Sequence, residues 1–386
     1  MKLAIVLDNK VNKWALQRFE PLKNEIDIMV FIGENNDYDT SAIDLKKKQL
    51  THFKEIKLAL KDSVTAYKRI VKSPFKKMDF YFFSLRKYLD GFDAVYSCDI
   101  TRSAYTLASL KDSLGFKLLL SWWENIPFRA VLDKKTNFQK RLVMDKVDIF
   151  LPFTETAKNV LKMEGVPEDK LKVIYPGVNL ERFKPGNKPG GLLSKHNIAA
   201  NCFIILYVGK IVSWKGVHNL AYAARVLKQK GWGDFIIVVV GRGAQKENLE
   251  NLTKEARVGE HFRFLDFISY DEIPDIYRMA DTFILPSYPT MTWQEQFGMV
   301  LTEAMATGVP VISTNSGSIP EVVGDAGILI NPGDYMALSD AIMLLMHDHN
   351  LRERLGKAGR IRAEQLFCSK QNAEKFLHFL KNIFKK

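Results

Sequence analysis

A chain of 386 residues, 47% hydrophobic, 11% aromatic and 26% charged, has the make-up of a globular protein long enough for two domains. That composition excludes a disordered or collagenous chain, and three scattered cysteines, Cys98, Cys202 and Cys368, exclude a disulfide scaffold or a cysteine metal cluster. The formal charge of +12, from 56 Lys and Arg against 44 Asp and Glu, is unevenly placed: residues 1–190 hold 34 basic and 24 acidic residues.

At the N-terminus only the five residues 3–7 are apolar before Asp8, too few for the core of a signal peptide. No apolar run approaches the roughly 20 residues that span a bilayer. The expected location is therefore cytoplasmic, or peripheral on the inner membrane face.

Short β-branched runs predict strands at 3–7, 27–32, 93–97, 117–121, 148–151 and 172–175, with helices over 101–114, 137–146 and 154–164. Within this first half, 46–87 concentrates 13 basic residues against Glu55, Asp62 and Asp79. Leu50, Phe53, Ile56, Leu60, Val64, Tyr67, Ile70 and Val71 step mostly by three and four through it, with Lys57 as a charge on the stripe. Phe80 to Phe83 follow as an aromatic cluster. A basic amphipathic helix leading into aromatics suits an anionic membrane surface, with Lys68, Lys72, Lys76 and Lys77 as its cations; the alternative is a solvated helix packed on its domain. Nucleic acid is not an expected partner, because no nucleic-acid-binding motif accompanies the charge.

The polar, Gly/Pro-rich stretch 185–195 predicts a linker. Beyond it, strands are predicted at 203–208, 235–240, 262–265, 282–285, 309–313 and 327–330, with helices over 216–230, 244–256, 273–279, 298–307 and 336–347. A helix after each strand implies α/β architecture: two parallel, doubly wound sheets whose ligands bind at the carboxyl ends of the strands.

Three of those strand ends carry chemistry. Strand 203–208 runs into Gly209, Lys210, Ile211, Val212, Ser213, Trp214, Lys215 and Gly216, placing two cations beside a helix start, where unpaired amides already favour an anion. Strand 235–240 ends in Gly241, Arg242 and Gly243, adding a third cation. After strand 282–285, Glu295 and Glu303 straddle Gly298 at the start of a helix, so the carboxylates can accept hydrogen bonds from sugar or ribose hydroxyls beside the open amides of the first turn.

The runs VGKIVSWKG (208–216), EQFGMVLTEAMATGVPVI (295–312) and IYPGVNLERFKP (174–185) together resemble the retaining glycosyltransferases of family 4, also described as glycosyl transferases group 1, which share the GT-B fold. The resemblance is close over 148–333 and extends to the first 147 residues only in their strand and helix rhythm. It implies two Rossmann-like domains facing a central cleft: an acceptor-binding domain of 1–184 plus a returning C-terminal helix at about 368–386, and a donor-binding domain of 196–367. Phe376, Leu377, Phe379, Leu380, Ile383 and Phe384 lie at helical spacing and suit that last helix.

It further implies that Lys210 and Lys215 hold the diphosphate of a nucleotide-sugar, that Glu303 binds the ribose, and that Glu295 with the Phe297, Gly298 and Met299 amides lies at the donor sugar and its phosphate. Gly209 and Arg242 line the donor site, and the backbone at Phe267 and Ile268 meets the base. Lys210 stands where the family usually has arginine, which keeps charge and loses bidentate geometry. The reaction implied is transfer of a hexose to an acceptor hydroxyl with retention, catalysed by Lys210, Lys215 and Glu295, with no cofactor and no metal. Asp37 and Asp39 do form an Asp-x-Asp triplet, but in an early polar loop that reads as a solvated turn.

The acceptor half departs from the family: its glycine-rich first loop is replaced by 8–14, and the usual histidine after the fourth strand by Trp122, Trp123, Glu124 and Asn125. Glu124 or Asn125 is expected to contact acceptor or donor sugar, Trp122 or Trp123 to stack on a sugar ring, and Asp99 to lie nearby. The expected acceptor is lipid-linked or a glycolipid at the cytoplasmic membrane face; a soluble sugar or sugar phosphate is the alternative, and a nucleotide-sugar epimerase of the same fold a lesser one.

Overall fold

The computed structural model describes residues 1–7, 11–34, 36, 38–41, 43–51, 85–98, 103–266, 268–269 and 271–384. The proposed membrane helix with Lys68, Lys72, Lys76 and Lys77, the candidates Asp99 and Phe267, and Asp37 lie outside the described residues. The chain divides into two compact units, Met1–Gly177 with Lys370–Lys386, and Val178–Ser369.

In the first unit six parallel strands run in the order β3-β2-β1-β4-β5-β6: β1 (Lys2–Val6), β2 (Asp27–Gly33), β3 (Lys46–Leu50), β4 (Ala94–Ser97), β5 (Lys117–Trp122) and β6 (Ile149–Pro152). Both faces are covered, so the strands read as continuous apolar runs with alternate residues serving opposite layers. Ala4 and Val6 face the layer supplied by α2 (Leu85–Leu89), α3 (Ser103–Leu114), α4 (Lys134–Lys146) and α5 (Glu155–Met163), through Leu89, Leu107, Val143 and Leu161. Leu3 and Ile5 face the other layer, which holds Leu16 of α1 (Lys13–Leu16) together with Phe19 and residues from the far end of the chain. Side-chain caps begin three of these helices, the Asn12 amide oxygen accepting from Ala15 N, the Asp133 carboxylate from Thr136 N and the Thr154 hydroxyl from Ala157 N.

The second unit repeats the plan. Its sheet has the order β12-β11-β10-β7-β8-β9, all parallel, from β7 (Phe203–Val208), β8 (Phe235–Val240), β9 (Phe262–Leu265), β10 (Thr282–Leu285), β11 (Val311–Thr314) and β12 (Gly327–Ile330). The helices are α6 (Gly190–Lys195), α7 (His218–Gln229), α8 (Lys246–Glu255), α9 (Ile273–Arg278), α10 (Met299–Ala306), α11 (Ile319–Val323), α12 (Tyr335–His347) and α13 (His349–Leu366). A last helix, α14 (Ser369–Ile383), returns to the first unit, where Ala373, Phe376, Leu377 and Leu380 are buried against the sheet and Phe376 meets Phe19 edge to face at 5.4 Å.

Several expectations change. Residues 185–195 are not a free linker: the division falls at Gly177/Val178, and the stretch lies inside the second unit with α6. Segment 172–175 forms no strand, its neighbour Leu171 making a single bridge to Phe150. Conversely Lys46–Leu50, read as the start of the basic helix, is an edge strand paired with β2, and α13 had no sequence counterpart. No described helix is long and apolar enough to cross a membrane.

Candidate active site

In the second sheet the chain runs outward from β7 through β8 to β9 and returns to β10 on the other side of β7, so the loops after β7 and β10 diverge around the topological switch point, where open α/β sheets bind ligands. Gly216 presses these two loops together. It sits at φ 67°, and a Cβ there would fall 2.0 Å from the Pro286 carbonyl oxygen, so only glycine allows this approach. Tyr288 N also donates to Trp214 O at 3.0 Å.

The result joins residues 80 positions apart. Lys215 Nζ lies 2.5 Å from Glu295 Oε2. The same oxygen accepts from Ser287 Oγ at 2.8 Å, and Ser318 N holds the Glu295 backbone carbonyl at 2.9 Å. The Lys215 ammonium also stands 5.1 Å from the centroid of the Trp293 ring, which leans on Trp214 at 6.0 Å. Cation and carboxylate, expected to serve diphosphate and sugar respectively, are thus one buried cluster.

Glu303 lies inside α10, buried, with Oε2 accepting from the Tyr277 hydroxyl of α9 at 2.7 Å. Burial, and then the Glu303 carboxylate, hold the Tyr277 phenol well above its ordinary pKa, so it remains a donor to the carboxylate. Gly298 caps α10 in the left-handed region at φ 82°, and Met299 opens the helix. Phe297 points its ring into the core against Phe367 at 5.6 Å, leaving its backbone as the part that can meet a ligand.

Lys210 and Arg242 are exposed at the ends of β7 and β8. The Lys210 carbonyl accepts from the buried Tyr207 hydroxyl at 2.7 Å; burial, and secondarily Glu295, raise that phenol's pKa. Gly209 donates its N–H to Val240 O at 3.0 Å, and Ile268 is half-buried. Together the second unit offers three cations, two buried carboxylates and a helix start at one sheet edge. Among the described residues no group of histidine, cysteine or carboxylate side chains is placed to hold a metal ion.

The acceptor candidates fare differently. Trp122 cannot stack on a sugar: it shares the parity of Leu118 and Leu120 on β5, is fully buried with them, and donates its Nε1–H to Glu124 O at 3.0 Å. The Glu124 carboxylate is engaged locally, by Arg129 at 2.6 Å and Ile126 N at 3.1 Å. Trp123 is half-buried against Phe153, with ring centroids 3.9 Å apart, and Asn125 is buried.

Sequence reasoning missed Tyr277, Trp293, Ser318 and, in the first unit, Arg18. Arg18 is 4% exposed and bonded to the hydroxyls of Tyr96 and Ser121, the latter at 3.1 Å. Its guanidinium stands 4.8 Å from the ring centroids of both Phe19 and Phe153. A lone arginine carries no sequence signal for such an aromatic seat.

Two wholly parallel, doubly wound units, the second with ionic groups gathered at its switch point, define the GT-B class of fold. Over nearly its full length the chain resembles in fold HepE of Anabaena (TM-score 0.79, 17% identity, 99% of this chain and 100% of that one) and sucrose-phosphate synthase of Thermosynechococcus elongatus (0.75, 21%, 100% and 99%). Residues 192–362, most of the second unit, match the family described as glycosyl transferases group 1.

Among curated relatives, a D-inositol 3-phosphate glycosyltransferase of Corynebacterium efficiens is 27% identical over 67% of this chain and 60% of its own length. An O-antigen chain mannosyltransferase B of Escherichia coli is 32% identical over 48% and 49%. The chain thus spans about 60% of the length of the first of these and about half of the second.

Proposed function

We propose that the protein is a retaining, metal-independent glycosyltransferase that moves a hexose from a nucleoside-diphosphate sugar to an acceptor hydroxyl. The observation that carries the reading is the pairing of Lys215 with Glu295 at the switch point, three residues before Gly298, which caps the helix that holds the Tyr277-oriented Glu303. In this reading Glu303 receives the ribose hydroxyls and Glu295 the sugar hydroxyls. As the anomeric bond to the diphosphate breaks, the new bond forms to the acceptor oxygen on the same face, and the acceptor proton leaves with the diphosphate. The negative charge growing on that leaving group is met by Lys210, Lys215 and Arg242, which stabilise it more in the transition state than in the bound sugar nucleotide.

A donor of this class is supported by HepE having been crystallised with UDP and with UDP-glucose. Thermal shift against UDP, GDP, ADP and CMP, then the matching sugars, tests it, because a ligand that binds only the folded state raises apparent stability. Glu303→Ala is expected to abolish the shift; undiminished nucleotide affinity in that variant rejects the site. Transfer that persists in a chelator supports metal independence, and the anomeric configuration of the product decides retention.

The acceptor we favour is lipid-linked or a glycolipid at the cytoplasmic membrane face. A soluble sugar phosphate is the second reading, favoured by the relatives named D-inositol 3-phosphate glycosyltransferases. Assays with each acceptor class separate the two.

A further inference from the structure

The loop that follows β5 in the first unit carries an unusual backbone. Phe128 sits at φ 57°, in the left-handed region that a bulky side chain rarely adopts, and the residue is 51% exposed. A buried carboxylate holds it there: Phe128 N donates to Glu164 Oε1 at 2.7 Å, while Glu164 Oε2 lies 2.5 Å from the ammonium of Lys140, itself 5.0 Å over the Trp122 ring. Conformational strain of this kind persists only where the surroundings over-determine it, and such strain gathers at functional segments.

The same stretch continues with Val131, 56% exposed, and then α4, whose outer face carries Lys134, Lys135, Phe138 and Arg141, all exposed and spaced by three and four. Phe138 is 63% exposed. The acid nearest them, Asp133, is committed to capping Thr136 N at 2.7 Å.

We propose that residues 128–141 form a docking face for an anionic lipid surface, with Phe128, Val131 and Phe138 entering the interface and Lys134, Lys135 and Arg141 on the headgroups. Charge decides for lipid over protein. The centres of protein interfaces are depleted in lysine and exclude charge from around their aromatic anchors, whereas here cations flank Phe138 one turn away on each side, the pattern of an interfacial helix on acidic headgroups. The face follows the carboxyl end of β5, on the ligand-binding edge of its sheet. It deepens the reading of a membrane-borne acceptor and rests on that reading for its purpose; the docking itself is measured without any transfer reaction.

Flotation of the full chain with vesicles of mixed phosphatidylglycerol and phosphatidylcholine, and with phosphatidylcholine alone, tests the face. Wild type is expected to float with the acidic vesicles and to be released by salt. Phe128→Ala with Phe138→Ala is expected to weaken binding about tenfold or more, and Lys134→Glu with Lys135→Glu to weaken it and flatten the salt dependence, all with unchanged melting temperature. Equal binding of wild type to neutral vesicles overturns the proposal. So does flotation of the phenylalanine variant at the wild-type level when Lys→Glu changes at Lys68, Lys72, Lys76 and Lys77 alone abolish it. A wild-type dimer in sedimentation that Phe138→Ala converts to monomer, with no vesicle binding, assigns the face to a second copy instead. A lipid-docking protein without transferase activity leaves this inference standing while rejecting the function above.

Discussion

Lys215 and Glu295 hold each other at 2.5 Å across the loops that follow β7 and β10, so neither side chain is positioned independently of the other. Both are largely buried, and Ser287 adds a third group on the same carboxylate oxygen. In the transfer proposed above, an ion pair of this kind would orient the lysine before the donor binds and lower the reorganisation needed when charge develops on a leaving group.

Substitution at the pair should therefore be non-additive. Lys215→Met is expected to slow transfer roughly 100-fold or more and to reduce stability by about 1–3 kcal/mol, because it leaves a buried carboxylate without its cation. Glu295→Gln keeps an acceptor for Ser287 and is expected to be milder in stability. The double variant should lose less than the sum of the two, a coupling read from a double-mutant cycle of unfolding and of kcat/KM; strictly additive losses would mean the contact does not act as a unit.

At the second carboxylate, Tyr277→Phe removes the donor that orients Glu303 without creating a cavity. Nucleotide affinity is expected to fall about tenfold, the equivalent of one lost hydrogen bond to a charged group, with the shape of the fold unchanged by circular dichroism. Isothermal titration with the nucleotide identified by thermal shift provides the measurement.

Gly216→Ala places a methyl group 2.0 Å from the Pro286 carbonyl at a positive φ. The unit should lose at least about 2 kcal/mol, a fall in melting temperature of roughly 4–8 °C for a body of this size. Since the loops must part to admit the methyl, transfer should fall by more than the remaining folded fraction explains.

Alkaline stability follows from buried phenols. Burial pushes Tyr96 up to about 12 from 10.0, with the Arg18 guanidinium opposing, and Tyr207 and Tyr277 are raised too. The unfolded chain releases these protons near pH 10, whereas the folded chain keeps them, so the stability they contribute is whole below about pH 10 and is lost as pH rises toward 12. For Tyr96 the shift corresponds to about 3 kcal/mol. Urea unfolding across this range should show the decline, with a shallower slope in Tyr96→Phe.

How much of this was legible in the sequence depended on whether a neighbour or a distant partner decides the outcome. The strands of the second sheet are uninterrupted apolar runs with glycine at their ends, and 203–208, 235–240, 262–265, 282–285 and 327–330 fall where periodicity puts them. Glu295, Gly298 and Glu303 are visible as a local spacing. The joining of Lys215 to Glu295 is not, because only the strand order of the sheet brings residues 80 apart together.

Lys46–Leu50 hides for a related reason: an edge strand with four exposed residues looks like a charge run until its register with β2 is known. Trp122, by contrast, could have been placed in the core from its parity with Leu118 and Leu120.

The return of α14 gives the first unit an unusual history during synthesis. Phe376, Leu377 and Leu380 complete its core against Phe19 and Tyr96, yet they leave the ribosome after every residue of Val178–Ser369. The half made first is thus the half finished last. Until the final helix arrives, the face of the sheet that carries Leu3 and Ile5 is covered only in part, by Leu16, Phe19 and Leu22, and the apolar surface left open is of the kind that makes partly folded chains prone to association.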